Sequence, residues 1–223
     1  FINNFGNMFY KNEDIYCNND IFYKYFNNLG SGGKGRIGTT NIIEFNNKKY
    51  IIKTIKDVED VKYLNFNIMK MDYYDIKQMD DSVFYNSFIA MNKNKKDRLV
   101  FICSNDLFTN QTIIHMILEN ILKSNKNYLR QLDAYICGTN GNNITEYCNE
   151  GNLSEYINKV DIKDDGFIID ILKQIMNPLS ILKNNKYGFV HGDLKMKNIF
   201  VTVENESVIY KLADFDKSTI FYN

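Results

Sequence analysis

The residues best able to do chemistry form two short runs: His191-Gly192-Asp193-Leu194-Lys195-Met196-Lys197-Asn198, then Ala213-Asp214-Phe215-Asp216. Asp193, with Lys195 two residues on and Asn198 five on, suits phosphoryl transfer. A carboxylate at Asp193 can orient an attacking hydroxyl and accept its proton. The Lys195 ammonium can neutralise charge developing on the transferred group, while Asn198 and Asp214 can hold Mg²⁺ across phosphates. An ordinary polar loop ahead of a hairpin could carry the same residue types. The spacing, and a second Asp beyond a predicted strand pair at 199–203 and 208–212, favour the chemical reading.

These groups need a framework, and the hydrophobic pattern supplies one. Residues 22–29 read as a strand, Gly30-Ser31-Gly32-Gly33-Lys34-Gly35 as a glycine-rich turn, and 36–45 and 50–55 as two further strands around Asn46-Asn47. Ile114, Ile117, Leu118, Ile121 and Leu122 give a helix over 111–123. Strands follow at 129–137 and 143–147, then a short helix at 152–159. A long helix over 166–184, capped by Asp164 or Asp165, is expected to bend at Pro178. Residues 1–20 read as an irregular extension and 57–110 as an insertion. The chain contains 33 Asn against 3 Ala, so Asn marks turns poorly here.

Composition excludes several classes. Lys+Arg and Asp+Glu number 27 each, and the formal net charge of +0 argues against a general nucleic-acid or membrane-surface binder. No apolar run is long enough to span a bilayer and no leader is visible. Cys17, Cys103, Cys137 and Cys148 lack metal-ligand spacing, so neither a zinc site nor a disulfide framework is expected. These features suggest a reducing, cytoplasmic compartment. Because the sequence opens on Phe1, the gene product is expected to be longer.

Taken together, the motifs resemble the protein kinase superfamily. Residues 191–198 are similar to its catalytic loop, His-Arg-Asp-x-x-x-x-Asn, and Asp214-Phe215-Asp216 to its metal-binding Asp-Phe-Gly. Leu29, Gly30, Ser31, Gly32, Gly33, Lys34, Gly35 and Ile37 follow its glycine-rich loop, whose backbone N–H groups approach phosphate where no Cβ intervenes. Lys53 stands where the family has its strand lysine. Glu146 and Cys148 match a hinge whose backbone contacts adenine. The resemblance implies a two-lobe α+β fold: an antiparallel N-lobe over 21–147 with one main helix, and a mostly helical C-lobe, cut short, over 148–223. It implies ATP and Mg²⁺, a protein substrate with Ser/Thr hydroxyls, and catalytic roles for Asp193 and Lys195. It also implies a glutamate partner for Lys53. Glu119 is the acid on the predicted helix, although a shifted register would put Gln111 there.

Departures from the family pattern qualify that picture. Gly192 replaces the arginine that pairs with a phosphorylated activation loop, so activation by that route is not expected. Asp216 replaces a glycine and should restrict flipping of its segment. Both features, with the insertion, are reminiscent of kinases of poxviruses and other large DNA viruses. A C-lobe that ends at Asn223 is expected to be completed by a missing segment or a partner. Alternatives to an active kinase are a pseudokinase or nucleotide-binding scaffold, and a small-molecule phosphotransferase; Lys195 argues against the last.

Overall fold

The computed structural model describes residues 17–18, 22, 24, 26–34, 38–56, 100–102, 107–122, 124–161, 164–184 and 187–222. A five-stranded antiparallel sheet in the order β1-β2-β3-β6-β5 carries the first part of the chain. Its strands are β1 (Asn27–Lys34), β2 (Gly38–Phe45), β3 (Lys48–Ile55), β5 (Gln131–Cys137) and β6 (Asn140–Glu146). β4 (Val100–Ile102) lies outside this sheet, and helix α1 (Leu107–Leu122) follows it.

Alternation along β3 decides which face does what. Ile52 points to an outer cluster with Phe22, Ile43, Tyr135 and Ile144, whereas Ile55 joins the main core beneath α1. Lys53 shares the face of Ile55, and so looks toward α1. The glycine-rich stretch is not a turn separate from β1. It is the second half of that strand, and register shifts at Asn28/Gly30 and Ser31/Gly33 let it pair with β2. Gly30 and Gly33 have φ of 120° and 131°, which side-chain-bearing residues avoid.

Several expected boundaries move. Phe22 and Lys24 are helical rather than extended, because Phe22 stacks on Phe26 one turn later at 4.4 Å and the Phe26 amide donates to the Phe22 carbonyl. α1 begins four residues before the predicted helix, since Phe108 is fully buried and extends its apolar stripe. Thus β4 and the first turn of α1 fall inside the supposed insertion; residues 57–99 and 103–106 lie outside the described residues. Cys17 is disulfide-bonded to Cys137 at a sequence separation of 120, contrary to the expectation of no disulfide framework. The fold brings the end of β5 against the segment before β1, a proximity that spacing alone does not encode.

The second part begins with β7 (Gly151–Asn152) and α2 (Leu153–Lys159), the latter started by a reciprocal capping box between Asn152 and Glu155. Helix α3 (Asp165–Asn184) is capped by Asp164, whose Oδ1 accepts from the Phe167 amide at 2.8 Å. It continues through Pro178 without a break in its helical assignment. β8 (Tyr187–Val190), β9 (Ile199–Glu204), β10 (Ser207–Leu212) and β11 (Thr219–Tyr222) complete the described chain. β9 pairs with β10 and β7, while β11 runs between β8 and β4. Among the described residues no helix is long and apolar enough to cross a membrane.

α3 buries only part of its predicted stripe. Ile175 and Leu182 are buried, but Ile168 and Leu172 are 50% and 57% exposed. Leu118→Ala in α1 should therefore cost about 2–5 kcal/mol in urea unfolding of this chain, and Leu172→Ala less than about 0.5 kcal/mol. Equal losses would mean that the outer face of α3 is covered in solution.

Candidate functional site

A cleft of about 370 Å³ opens between the five-stranded sheet and the β9–β10 pair. Ile42 and Ile51 form its ceiling, Leu129 and Phe200 part of its apolar lining, and the backbone from Thr145 to Cys148 its inner wall. Lys53, Gln111, Asn198 and Asp214 stand at its polar end. An apolar slot with few convergent polar groups suits a flat heterocycle carrying a charged tail.

The inner wall is fixed from behind. The Glu146 carboxylate turns away to accept from the Arg130 amide at 2.8 Å and from Lys211 at 2.9 Å. Lys211 is only 5% exposed, so this is a largely desolvated ion pair. No spacing rule pointed to Lys211; only its place in an otherwise apolar strand, opposite a conspicuous acid, could have done so. Burial, then the Glu146 charge, pushes the Cys148 thiol up to about 12, so it stays protonated and inert.

At the polar end Lys53 donates to Asp214 Oδ1 at 2.8 Å, and its contact with Gln111 Oε1 is long at 3.5 Å. Glu119 is not its partner. That carboxylate is two turns further along α1 and accepts from Tyr128 and Arg130, tying the helix to the segment before β5. The register thus places Gln111 opposite Lys53, and α1 brings no counter-charge. One turn on from Gln111, His115 packs its ring edge-on against Phe215 at 4.9 Å, with neither nitrogen hydrogen-bonded. Burial and the Lys53 charge hold its pKa down to about 3.

Asp193, Lys195 and Asn198 gather beside this end. Asp193 Oδ2 accepts from Lys195 at 2.7 Å, and Asn198 Nδ2 donates to the Asp193 carbonyl at 2.9 Å. The Lys195 hydrogen bond, then that of Lys217, draws the Asp193 carboxyl below its ordinary range. Asp193 Oδ1, Asn198 Oδ1 and Asp214 Oδ2 receive no hydrogen bond from the described residues. Free carboxylate and amide oxygens on Asn198 and Asp214 fit a hard divalent cation such as Mg²⁺. Asp214 adopts left-handed backbone, φ 63° and ψ 66°, a conformation Asp tolerates at modest cost.

Of the glycine-rich residues only Gly32 lines the cleft among those described. Leu29, Gly30, Ser31 and Gly33 lie exposed on β1 and the side chain of Lys34 is undescribed, while Gly35 and Ile37 fall outside the described residues. The amides of Gly30 and Gly33 already donate to Asn28 Oδ1 and Ser31 Oγ. Burial raises Asp216 above the usual carboxylate range, with the Asp214 charge adding to the effect, and its Oδ1 lacks a partner.

Residues 120–223 match the protein kinase domain family. A protein of Acanthamoeba polyphaga mimivirus named as a serine/threonine-protein kinase is 33% identical over 189 residues, covering 62% of this chain and 26% of its own. Serine/threonine-protein kinase ATG1b of Arabidopsis thaliana is 29% identical over 100 residues, 45% of this chain and 14% of its own. Serine/threonine-protein kinase unc-51 of Caenorhabditis elegans is 32% identical over 79 residues, 32% of this chain and 9% of its own. The chain therefore spans about a quarter or less of each of these relatives.

Two measurements check the geometry. Glu119→Gln should leave nucleotide affinity within about twofold, whereas Lys53→Ala should weaken it tenfold or more, each read by calorimetric titration. His115 is neutral when folded but titrates near 6.5 once exposed, so stability is full above pH 6.5 and lost as pH falls. By pH 5 that loss reaches about 2 kcal/mol, and His115→Leu should abolish it in paired urea unfolding experiments.

Proposed function

We propose that this chain, similar to the protein kinase domain over residues 120–223, is a kinase-like phosphotransferase that transfers the γ-phosphoryl group of ATP to Ser/Thr hydroxyls of a protein substrate. The observation that carries this reading is the convergence of Lys53, Asn198 and Asp214 at one end of an apolar cleft, with Asp193 beside it. ATP lies under β1 and β2, its adenine against the backbone of Glu146 and Cys148. Lys53 takes the α/β-phosphates.

Asp193 offers Oδ1 to the acceptor hydroxyl. Its proton passes to that oxygen as the new O–P bond forms and the bond to the β-phosphate oxygen breaks, releasing ADP. Lys195 neutralises charge on the moving phosphoryl group. Mg²⁺, held by Asn198 and Asp214, supplies further charge neutralisation when bound. The sheet with α1 (21–147) serves as the nucleotide lobe and residues 148–223 belong to the acceptor lobe.

A second reading, a nucleotide-binding scaffold, draws on one observation. Lys53 is engaged with Asp214, and α1 presents neutral Gln111 instead of an acid. Thermal unfolding with and without Mg·ATP, beside transfer of labelled γ-phosphate to a basic protein substrate, separates the two. Saturation at about 100 times Kd should stabilise the chain by roughly 2.7 kcal/mol. Asp214→Asn should reduce both stabilisation and transfer. Asp193→Asn should keep nucleotide affinity within about twofold while transfer falls at least 100-fold, about 2.7 kcal/mol. Stabilisation without wild-type transfer would favour the scaffold, and wild-type transfer by Asp193→Asn would sink the kinase reading.

A further inference from the structure

Asp193 is held by two lysines on the same oxygen. Lys195, from its own loop, donates to Oδ2 at 2.7 Å; Lys217, from beyond Asp214, donates to that oxygen at 3.3 Å. Both cations are about half exposed, with side-chain exposures of 50% and 55%, so neither is trapped there by packing.

What is fixed is the backbone that delivers Lys217. A 3₁₀ turn over Phe215–Lys217 closes with the Ser218 amide donating to the Phe215 carbonyl. Ser218 Oγ donates to the His191 carbonyl at 3.0 Å. Asn110 of α1 donates to the carbonyls of Asp216 and Ser218, at 2.8 and 3.0 Å. From the other side Gly192, at φ 77°, lies so close that a Cβ there would stand 2.3 Å from the Lys217 carbonyl oxygen. Glycine at 192 is thus the residue that admits Lys217 beside Asp193.

The duplication has a chemical consequence. Resting on the phosphoryl-transfer reading of this same site, Lys195 has two tasks: it holds Asp193 and it neutralises the moving phosphoryl group. Its ammonium has three N–H donors, so reaching a phosphoryl oxygen divides them between two anions and weakens its hold on Oδ2. We propose that Lys217 is a positioning residue for transfer, holding Asp193 Oδ2 while Lys195 divides its donors between that oxygen and the phosphoryl group, and so keeping Oδ1 turned to the acceptor hydroxyl. The proton path is unchanged: from acceptor oxygen to Oδ1, with the new O–P bond forming and ADP leaving.

The test is steady-state transfer from Mg·ATP by the full chain, comparing wild type, Lys217→Met and Lys217→Arg. Thermal unfolding verifies that each is folded, as expected at an exposed position. Lys217→Met should lower kcat about tenfold with KM for ATP within about twofold, and Lys217→Arg should regain most of kcat, because a guanidinium restores the charged hydrogen bond. A purely structural role would not distinguish Arg from Met in kcat alone. Unchanged kcat in Lys217→Met, or equal losses in both variants, overturns the inference while leaving the kinase reading intact. A wild-type chain that binds nucleotide without transferring phosphate overturns that reading, and this inference with it.

Discussion

Two lengths of backbone lying against each other, residues 191–193 and 213–218, set the geometry on which the site depends. The approach is so close that Gly192 has no room for a side chain beside the Lys217 carbonyl. Three hydrogen bonds stitch the two lengths together. His191 Nε2 meets the Ala213 carbonyl at 2.9 Å, Ser218 Oγ donates to the His191 carbonyl, and Lys217 donates to Asp193. This juxtaposition brings a base candidate and a metal-ligand candidate, 21 positions apart in sequence, to one cleft end. Proximity of this kind is the main thing a phosphoryl-transfer site must supply, since the protein does little covalent chemistry of its own.

Helix α1 is fastened to the same junction. Asn110 donates to two carbonyls of the 214–218 segment, and His115 rests on Phe215 from the next turn of the helix. At its far end Glu119 binds Tyr128 and Arg130, and the Arg130 amide in turn donates to Glu146 on the inner wall of the cleft. A shift of α1 would thus break contacts with both the 214–218 segment and the chain leading to Glu146. β4, immediately before the helix, pairs with β11 immediately after that turn. The helix is tied to the segment at both its entry and its first turns.

Local chemistry was legible in the sequence, and long-range pairing was not. Asp193, Lys195, Asn198, Asp214 and Lys53 were singled out by type and spacing, and the fold brings them to one end of the cleft. The β9–β10 hairpin and α2 were found to within a residue or two, the structure showing Asn152 as the cap of α2 rather than its first helical residue. By contrast β8, β11 and β4 are short, and each finds its partner far along the chain, so no local pattern reveals their sheet. Phe22 to Phe26 is aromatic enough to read as strand, but its rings satisfy each other across one helical turn. Glu119 was chosen as the acid on a helix whose start was placed too late. Once Phe108 extends the helix, the residue opposite Lys53 becomes Gln111, and the acid belongs to another network.

Opposite charges are matched at the polar end of the cleft. Each acid in it is already paired: Asp214 with Lys53, and Asp193 with Lys195 and Lys217. Partly buried, an unpaired carboxylate beside another would be costly, as the upward push on unpartnered Asp216 illustrates. With neutral Gln111 facing it, Lys53 has Asp214 as its single anionic partner among the described residues. Freeing Asp214 for a metal therefore requires Lys53 to find another anion, and in phosphoryl transfer the anion that arrives with the metal is the nucleotide phosphate. On the proposed reading, binding would be an exchange of partners for Lys53 and Asp214. An acid in place of Gln111 would hold Lys53 in both states; its absence makes the lysine's position depend on what occupies the cleft.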